Sequence, residues 1–202
     1  MLVATIITYN DYPLIRDCVE SIYDKVDKII AVDGSYIDFP GSGSSTDGTL
    51  EYLDSLLKVE VITTIGLTEI EKRNAYLSKC NDGDVIINLD TDEVLIGEIP
   101  SLGSDFGIID LHDGHSKHVQ VRASRFFRFK GGIHYQNTHC TLYDKDNKII
   151  NKLHEVINPE FSFENIKNFY LVHNWHLRSH ERQYQKSVYY KTLVRKESKF
   201  PK

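Results

Sequence analysis

A buried strand that ends in a cluster of acids constrains this chain more than any other feature of its sequence. Residues 84–93 read Asp-Val-Ile-Ile-Asn-Leu-Asp-Thr-Asp-Glu, so an apolar run of strand length stops at Asp90, Asp92 and Glu93. Carboxylates gathered at the end of a buried strand repel one another and lose hydration, which raises their pKa values. A divalent cation removes both penalties, and Mg²⁺ and Mn²⁺ prefer oxygen ligands together with phosphates. The segment predicts a metal and phosphate site, or more simply a solvated turn into a helix that Asp92 or Glu93 helps to start.

Strands and helices alternate along the first 90 residues. The predicted strands are residues 2–8, 28–33, 59–64 and 85–90, and the predicted helices begin at Pro13, Thr46 and Thr68. This order predicts an α/β fold in which a mostly parallel sheet is flanked by helices. Ligands of such sheets bind beyond the carboxyl ends of the strands, where the polar residues are Tyr9, Asp33 and Asp90 to Asp92.

After residue 100 the pattern changes to strands joined by turns. The predicted strands are residues 106–111, 119–129, 138–143, 149–153 and 169–173, with a hairpin turn at 144–148 and a helix at 181–196. We expect one compact domain with two parts, residues 1–98 and a smaller mixed β region with a C-terminal helix at 99–202. The Gly/Ser-rich segment 34–45 is predicted to be a mobile loop.

The net charge of −5 conceals an uneven distribution. Residues 173–202 carry eight Lys or Arg against Glu181 and Glu197, which leaves −11 for the rest of the chain. An amphipathic helix that packs its tyrosines on the core explains this tail, and peripheral contact of residues 178–202 with an anionic membrane is the alternative. No apolar run reaches the roughly 20 residues of a membrane span. We therefore expect a cytoplasmic protein, with association at the membrane surface as the alternative.

The cysteines and the glycines exclude two other classes of protein. Cys18, Cys80 and Cys140 are far apart and form no CxxC pair, so free thiols are expected rather than disulfides or a zinc site. The GxGxxG fingerprint is absent after the first strand, which disfavours an NAD or FAD enzyme.

Five short motifs, taken in their order, resemble those of the family 2 glycosyltransferases. They are Thr8-Tyr9-Asn10, Val32-Asp33-Gly34-Ser35, Ser45-Thr46-Asp47-Gly48-Thr49, Arg73-Asn74 and Asp90-Thr91-Asp92-Glu93. The fold of that family is called GT-A (Rossmann-like). The resemblance covers residues 1 to about 95 and departs from the family at 34–45, where this chain carries an insertion.

The resemblance implies a sugar donor activated by a nucleoside diphosphate, most commonly UDP, and transfer with inversion to a saccharide, lipid-linked or protein acceptor. No nucleic-acid partner is expected. The implied nucleotide-binding residues are Thr8, Tyr9, Asn10, Asp33, Arg73, Asp90 and Thr91. The implied cofactor is Mn²⁺ or Mg²⁺, held by Asp92, Asp90 and His173 in a DXD arrangement.

The catalytic base has two candidates, and three other functions stay open. Glu155 follows a predicted strand and His139 lies within one, and either side chain can accept the proton of an acceptor hydroxyl near pH 7. The alternatives are a haloacid-dehalogenase-like phosphatase with Asp90 as its nucleophile, a sugar nucleotidyltransferase, and a non-catalytic nucleotide-binding module.

Overall fold

A computed structural model of the chain describes residues 1–37, 39, 41, 43–137, 141–152 and 155–197. The strands in these residues are β1 (Leu2–Thr8), β2 (Lys28–Asp33), β3 (Val59–Thr63), β4 (Val85–Asp90), β5 (Glu93–Gly97), β6 (Phe106–Asp113), β7 (Val119–Arg128), β8 (His134–Asn137), β9 (Thr141–Tyr143), β10 (Asn151–Lys152), β11 (Glu155–Val156) and β12 (Phe163–His173). The helices are α1 (Leu14–Ile22), α2 (Thr49–Asp54), α3 (Glu69–Leu77) and α4 (His180–Glu197), with short 3-10 helices at Tyr23–Lys25 and Trp175–Leu177.

One large sheet organises the molecule. Across the described residues it has eight strands in the order β3-β2-β1-β4-β7-β6-β12-β5. The strand pairs β1 with β2, β1 with β4, and β2 with β3 are parallel, whereas β7 is antiparallel to both β4 and β6. The predicted α/β fold with a mostly parallel sheet is therefore confirmed, and strands from the second half of the chain extend the same sheet.

Apolar side chains cover both faces of this sheet. The β-branched run of β1 alternates, so that Ile6 packs on the α1 side with Ile15 and Val3 packs on the α3 side with Tyr76. All four side chains are almost fully buried. Complete burial of a large apolar side chain contributes roughly 1.5–3 kcal/mol, so these two layers hold the strand ends in fixed positions.

Several element boundaries differ from the prediction. The acids at 90–93 lead into β5 rather than into a helix, and β12 begins at Phe163 rather than at 169. Helix α2 begins at Thr49, three residues later than predicted, because Gly48 has a φ of +97° that a helix does not allow. The turn at 144–148 is confirmed, since the backbone N–H of Asp144 bonds to Lys148 O at 3.0 Å. Residues 138–140 of the predicted strand 138–143 lie outside the described residues.

The described residues of the 34–45 segment are packed rather than loose. Ser35 N donates to Gly43 O at 2.9 Å, Tyr36 forms a bridge with Leu67, and the Phe39 ring is buried. The Gly/Ser content predicts mobility because it lowers the cost of disorder, but two aromatic side chains anchor this segment to the sheet.

Candidate active site

Asp90, at the carboxyl end of β4, is held between two arginines. Its Oδ1 accepts from Arg73 Nη2 at 3.0 Å, and its Oδ2 accepts from Arg125 Nη2 at 3.2 Å. Arg73 comes from α3, where it also pairs with Glu69 at 3.0 Å and donates to Asn88 Oδ1 at 3.0 Å. Burial opposes ionisation of Asp90, but the charges of Arg125 and Arg73 hold its pKa well below the usual range. Asp90 is therefore ionised and fixed in orientation.

Glu93 begins β5 and lies behind Asp90, fully buried. Its two carboxylate oxygens each lie 2.6 Å from Arg125 Nη1, and Oε2 accepts the backbone N–H of Asp90 at 2.8 Å. Burial raises the pKa of Glu93 to about 7 against the opposing charge of Arg125, and the Asp90 charge adds to the rise. Through these bonds, Glu93 fixes the positions of both Asp90 and Arg125 from the buried side of the site.

Asp92 is buried in the turn after β4, and side chains from the end of the chain reach it. Arg178 Nη1 lies 2.8 Å and His173 Nε2 lies 3.2 Å from Asp92 Oδ2. Burial opposes ionisation of Asp92, but the hydrogen bond from His173 and the charge of Arg178 lower its pKa. Burial also opposes protonation of His173, whose pKa is nevertheless raised by the same hydrogen bond. The structure therefore brings together Asp92 and His173, the predicted metal ligands.

The predicted nucleotide residues at the ends of β1 and β2 hold the 34–45 segment in place. Asp33 accepts from the backbone N–H of Ser45 at 2.9 Å and from its hydroxyl at 2.5 Å. Asn10 has a positive φ of 48°, and its Oδ1 accepts from Thr46 N at 2.8 Å. Thr8 is fully buried and its carbonyl accepts from Lys72 Nζ at 3.1 Å. These residues lie where the prediction placed them, but their polar groups already support the loop.

Tyr9 is part of an aromatic cluster to which α4 contributes. The Tyr9 ring meets Phe39 edge-on at 6.1 Å, and Tyr189 of α4 lies 5.5 Å from Phe39. Tyr36 completes the cluster at 5.8 Å from Tyr189. The guanidinium of Arg182 lies 4.6 Å from the Phe39 ring centre, within the range of a cation–π contact. The C-terminal helix therefore lies against the strand ends at which a ligand is expected.

A cavity of about 420 Å³ opens at the same strand ends. Its lining residues are Asp90, Asp92, His173, Trp175, Arg178, Gln183, Lys186 and Ser187. The volume lies in the ordinary range for small-molecule sites, and charges of both signs line it. Trp175 is half-exposed and is fixed by a 3.0 Å hydrogen bond from its indole N–H to Asp113.

Glu155, a predicted catalytic base, does not line this cavity. It lies in β11, exposed, and contributes to another cavity together with Arg122 and Asn165. His139, the other predicted base, lies outside the described residues. The structure therefore does not bring Glu155 together with Asp90, and the catalytic base stays a prediction.

Three basic residues to which the sequence analysis gave no role in the site line it or approach it. Arg178 donates to Thr91 Oγ1 at 3.1 Å in addition to its contact with Asp92, and Arg182 Nε lies 3.5 Å from Asp11 Oδ1. Lys186 lines the cavity. Arg182 and Lys186 lie one turn apart on the same side of α4, whereas Arg178 precedes the helix in extended backbone. The four-residue spacing of Arg182 and Lys186 is the signal that would have identified those two.

A divalent cation fits Asp92 better than Asp90. Asp92 Oδ1 is buried and receives no hydrogen bond from any described residue, whereas arginines engage both oxygens of Asp90. One carboxylate and the His173 imidazole are a donor pair suited to Mn²⁺. Within the described ranges, no three His, Cys, Asp or Glu side chains come together as a complete metal-binding group. The same arginines also make Asp90 a poor nucleophile for the phosphatase alternative, because they stabilise its charge.

Residues 4–100, a stretch that includes β1 to β4 and the acids Asp33, Asp90 and Asp92, match the family model described as glycosyl transferase family 2. This part of the chain is therefore a glycosyltransferase family 2 region. The match ends before β6, so it covers the strand ends of the site but not His173, Arg178 or α4.

The chain is also similar to solved structures of TarS from S. aureus. The structure of TarS 1-349 has 20% sequence identity and a TM-score of 0.45, over 60% of this chain and 39% of that chain. Another TarS structure has 20% identity and a TM-score of 0.43, over 59% of this chain and 23% of that chain. The match thus spans well under two thirds of TarS. No curated protein matches the chain significantly. Of the helices in the described part of the chain, none is long and apolar enough to cross a membrane.

Proposed function

We propose that this glycosyltransferase transfers a sugar from a nucleoside-diphosphate donor, with UDP as the nucleotide, to an acceptor hydroxyl. The observation that carries the proposal is the convergence of Tyr9, Asp33 and Asp90 to Asp92 at neighbouring strand ends, beside a cavity of about 420 Å³. Open α/β sheets bind ligands at this edge. We assign the nucleotide mainly to residues 1–98 and the acceptor to 99–202, a part of the chain that also brings His173 to Asp92.

The aromatic and acidic residues at the ends of β1 and β2 suit the nucleoside. Tyr9 can stack on a base and Asp33 can accept from a base N–H, but both side chains are almost fully buried. We therefore expect the 34–45 segment or α4 to move when the base binds. Asp90, ionised and fixed by Arg73 and Arg125, can accept from ribose hydroxyls.

Asp92 and His173 would hold a divalent cation. When bound, Mn²⁺ or Mg²⁺ supplies Lewis acidity that stabilises the charge that develops on the departing diphosphate. Asp92 presents a buried oxygen without a hydrogen-bond donor among the described residues, and His173 Nε2 lies 3.2 Å from its other oxygen. Arg178 contacts that second oxygen, so we expect its contact to loosen when a cation binds.

Inversion requires direct displacement at the anomeric carbon. The acceptor oxygen forms the new bond, the bond from the anomeric carbon to the phosphate oxygen breaks, and its electron pair stays on the diphosphate. The hydroxyl proton passes to a base on the acceptor side, for which Glu155 and His139 remain the candidates. We expect the acceptor to be a saccharide, a lipid-linked molecule or a protein.

Calorimetric titration with UDP, GDP, dTDP and dCDP, each with and without Mn²⁺, tests the proposal. We expect one nucleotide to bind, more tightly with Mn²⁺, and Asp92→Asn to remove the Mn²⁺ effect. Asp146→Asn is the matched control, because Asp146 lies exposed in the 144–148 turn away from the site. If no nucleoside diphosphate binds to the wild-type protein, the proposed donor class is wrong.

A further inference from the structure

The C-terminal segment brings three positively charged side chains to the edge of the sheet at which Asp11, Asp90 and Asp92 lie. Arg178 pairs with Asp92 at 2.8 Å, and Arg182 lies 3.5 Å from Asp11. Gln183 Nε2 donates to Arg178 O at 2.8 Å, which fixes the turn that leads into α4. Lys186 follows one helical turn after Arg182 and points into the cavity.

Lys186 differs from the two arginines in its partners. No described residue forms a hydrogen bond or an ion pair within 4.0 Å with its ammonium group, although the side chain is half-buried. The acids whose charges act on Lys186 are already engaged by arginines: Asp90 by two of them, Asp92 by Arg178 and Asp11 by Arg182. A partly desolvated ammonium that lacks a partner costs free energy, and an anionic ligand in the cavity would remove that cost.

The cavity offers such an anion two different donors. The Arg178 guanidinium can bind two phosphate oxygens at once, whereas the Lys186 ammonium is a compact charge that adapts to one. Both line the cavity together with Asp92, the residue proposed to hold the cation. A diphosphate in this cavity would therefore lie within reach of both Arg178 and Lys186.

We propose that Lys186, with Arg178 beside it, binds the diphosphate of the donor and stabilises it as the leaving group. This inference rests on the proposed function. When the bond from the anomeric carbon to the phosphate oxygen breaks, the electron pair stays on that oxygen, and the ammonium of Lys186 balances the added negative charge. Lys186 keeps its proton throughout. Helix α4 is thus part of the donor site, not only a cover for the core.

The test compares ligands with and without the second phosphate. Isothermal titration would measure UDP, UMP and inorganic pyrophosphate against the wild-type protein, Lys186→Met and Lys186→Arg. Lys191→Met is the matched control, because Lys191 is an exposed lysine of the same helix. GDP and GMP, and dTDP and dTMP, would be run in parallel so that the identity of the base does not decide the result.

We expect Lys186→Met to weaken binding of the nucleoside diphosphate and of pyrophosphate at least about tenfold. Binding of the nucleoside monophosphate should weaken less than about threefold. Lys186→Arg should restore most of the difference, and Lys191→Met should change nothing. If Lys186→Met weakened binding of diphosphate and monophosphate equally, or weakened neither, the proposed role of Lys186 would be wrong. The proposed class of donor would not be affected by that result. If the wild-type protein binds no nucleoside diphosphate, both the proposed function and this inference are wrong.

Discussion

Arg178 Nη1 lies 2.8 Å from Asp92 Oδ2, and this contact joins the C-terminal segment to the turn after the fourth strand. Both side chains are almost fully buried, with exposed fractions of 7% and 1%. The pair closes the site with an internal cation at the position where a metal ion is proposed. A divalent cation held by Asp92, as proposed, would therefore compete with Arg178 for the same carboxylate.

We predict that Arg178→Gln binds Mn²⁺ about tenfold more tightly than the wild-type protein, because a competing charge worth roughly 1.4 kcal/mol is removed from Asp92. Titration of Mn²⁺ followed by electron paramagnetic resonance would measure the change without any nucleotide. Arg122→Gln is the control, since Arg122 is half-exposed and pairs with Asp110 outside the cavity. Unchanged Mn²⁺ affinity in Arg178→Gln would show that the metal does not use Asp92.

The first half of the fold follows from the sequence because its signals are local. The apolar runs of β1 to β4 are continuous and bounded by turns, so their ends, and with them Asp33 and Asp90, were placed correctly. Strand β5 was missed because Glu93 follows two other acids and the cluster resembles the start of a helix. The local pattern does not show that Glu93 is neutralised by Arg125, which comes from β7.

The candidate site was likewise predicted only in part from the sequence. Asp92 and His173 were predicted as a pair, because the family resemblance supplied the connection, and they lie 3.2 Å apart. The contacts of Arg178 and Arg182 were not predicted. Their partners are distant in sequence, and a basic amphipathic helix is equally consistent with a membrane surface. Only the tertiary structure shows that α4 lies over the strand ends.

The buried ion pair of Glu93 and Arg125 stabilises the fold. Arg125→Met would leave Glu93 buried without its cation, and we expect the free energy of unfolding to fall by about 3–5 kcal/mol. Denaturation by urea, followed by far-UV circular dichroism, would measure the loss. Arg122→Met removes an arginine from the same strand whose side chain is 54% exposed, so its cost should stay below about 1 kcal/mol. Similar losses in the two variants would contradict the assignment of Glu93 and Arg125 as a coupled buried pair.

Lys72 gives the protein a pH-dependent stability. It is fully buried, its Nζ contacts the carbonyls of Thr8 and Gly34, and burial lowers its pKa from 10.5 to about 8. Between these two values the unfolded chain binds more protons than the folded protein, so stability rises with pH through this window.

We therefore expect the unfolding free energy of the wild-type protein to rise by up to about 3 kcal/mol relative to Lys72→Met between pH 8 and 10.5. Urea denaturation of both proteins at several pH values would give this difference. Proton binding by the other side chains affects both proteins equally and therefore cancels. A difference that stays constant with pH would mean that Lys72 keeps its ordinary pKa in the folded state.

Gly34 marks a close approach between the ends of β2 and β3. Its φ is +127°, and an added Cβ would lie 1.6 Å from Thr64 O, which is far inside contact distance. We expect Gly34→Ala to lose about 3 kcal/mol or more in urea denaturation, since the backbone has to move. Gly66→Ala is the control, because Gly66 also has a positive φ but open space around it, and its cost should be about 1 kcal/mol. Equal costs would mean that conformation, and not the approach to Thr64, decides the effect.

Tyr189 is the apolar anchor of α4. Its ring is 6% exposed and packs 5.5 Å from Phe39 and 5.8 Å from Tyr36, whereas the other face of the helix carries Tyr184 at 71% exposure. Loss of a buried aromatic ring removes a large share of the free energy that docks the helix, because Tyr184 and Val188, the other apolar side chains that the structure describes in α4, are exposed.

We predict that Tyr189→Ala speeds cleavage by trypsin after Lys186 and Lys191 on the order of tenfold, because cleavage requires the helix to open locally. Mass spectrometry of the products over time would locate the cuts and give their rates. Tyr184→Ala should cleave at the wild-type rate, since that ring lies exposed. If docking of α4 is coupled to the donor site, saturating UDP should slow cleavage of the wild-type protein. Equal cleavage rates for Tyr189→Ala and Tyr184→Ala would show that the aromatic cluster does not hold the helix, and that its basic residues alone keep it over the strand ends.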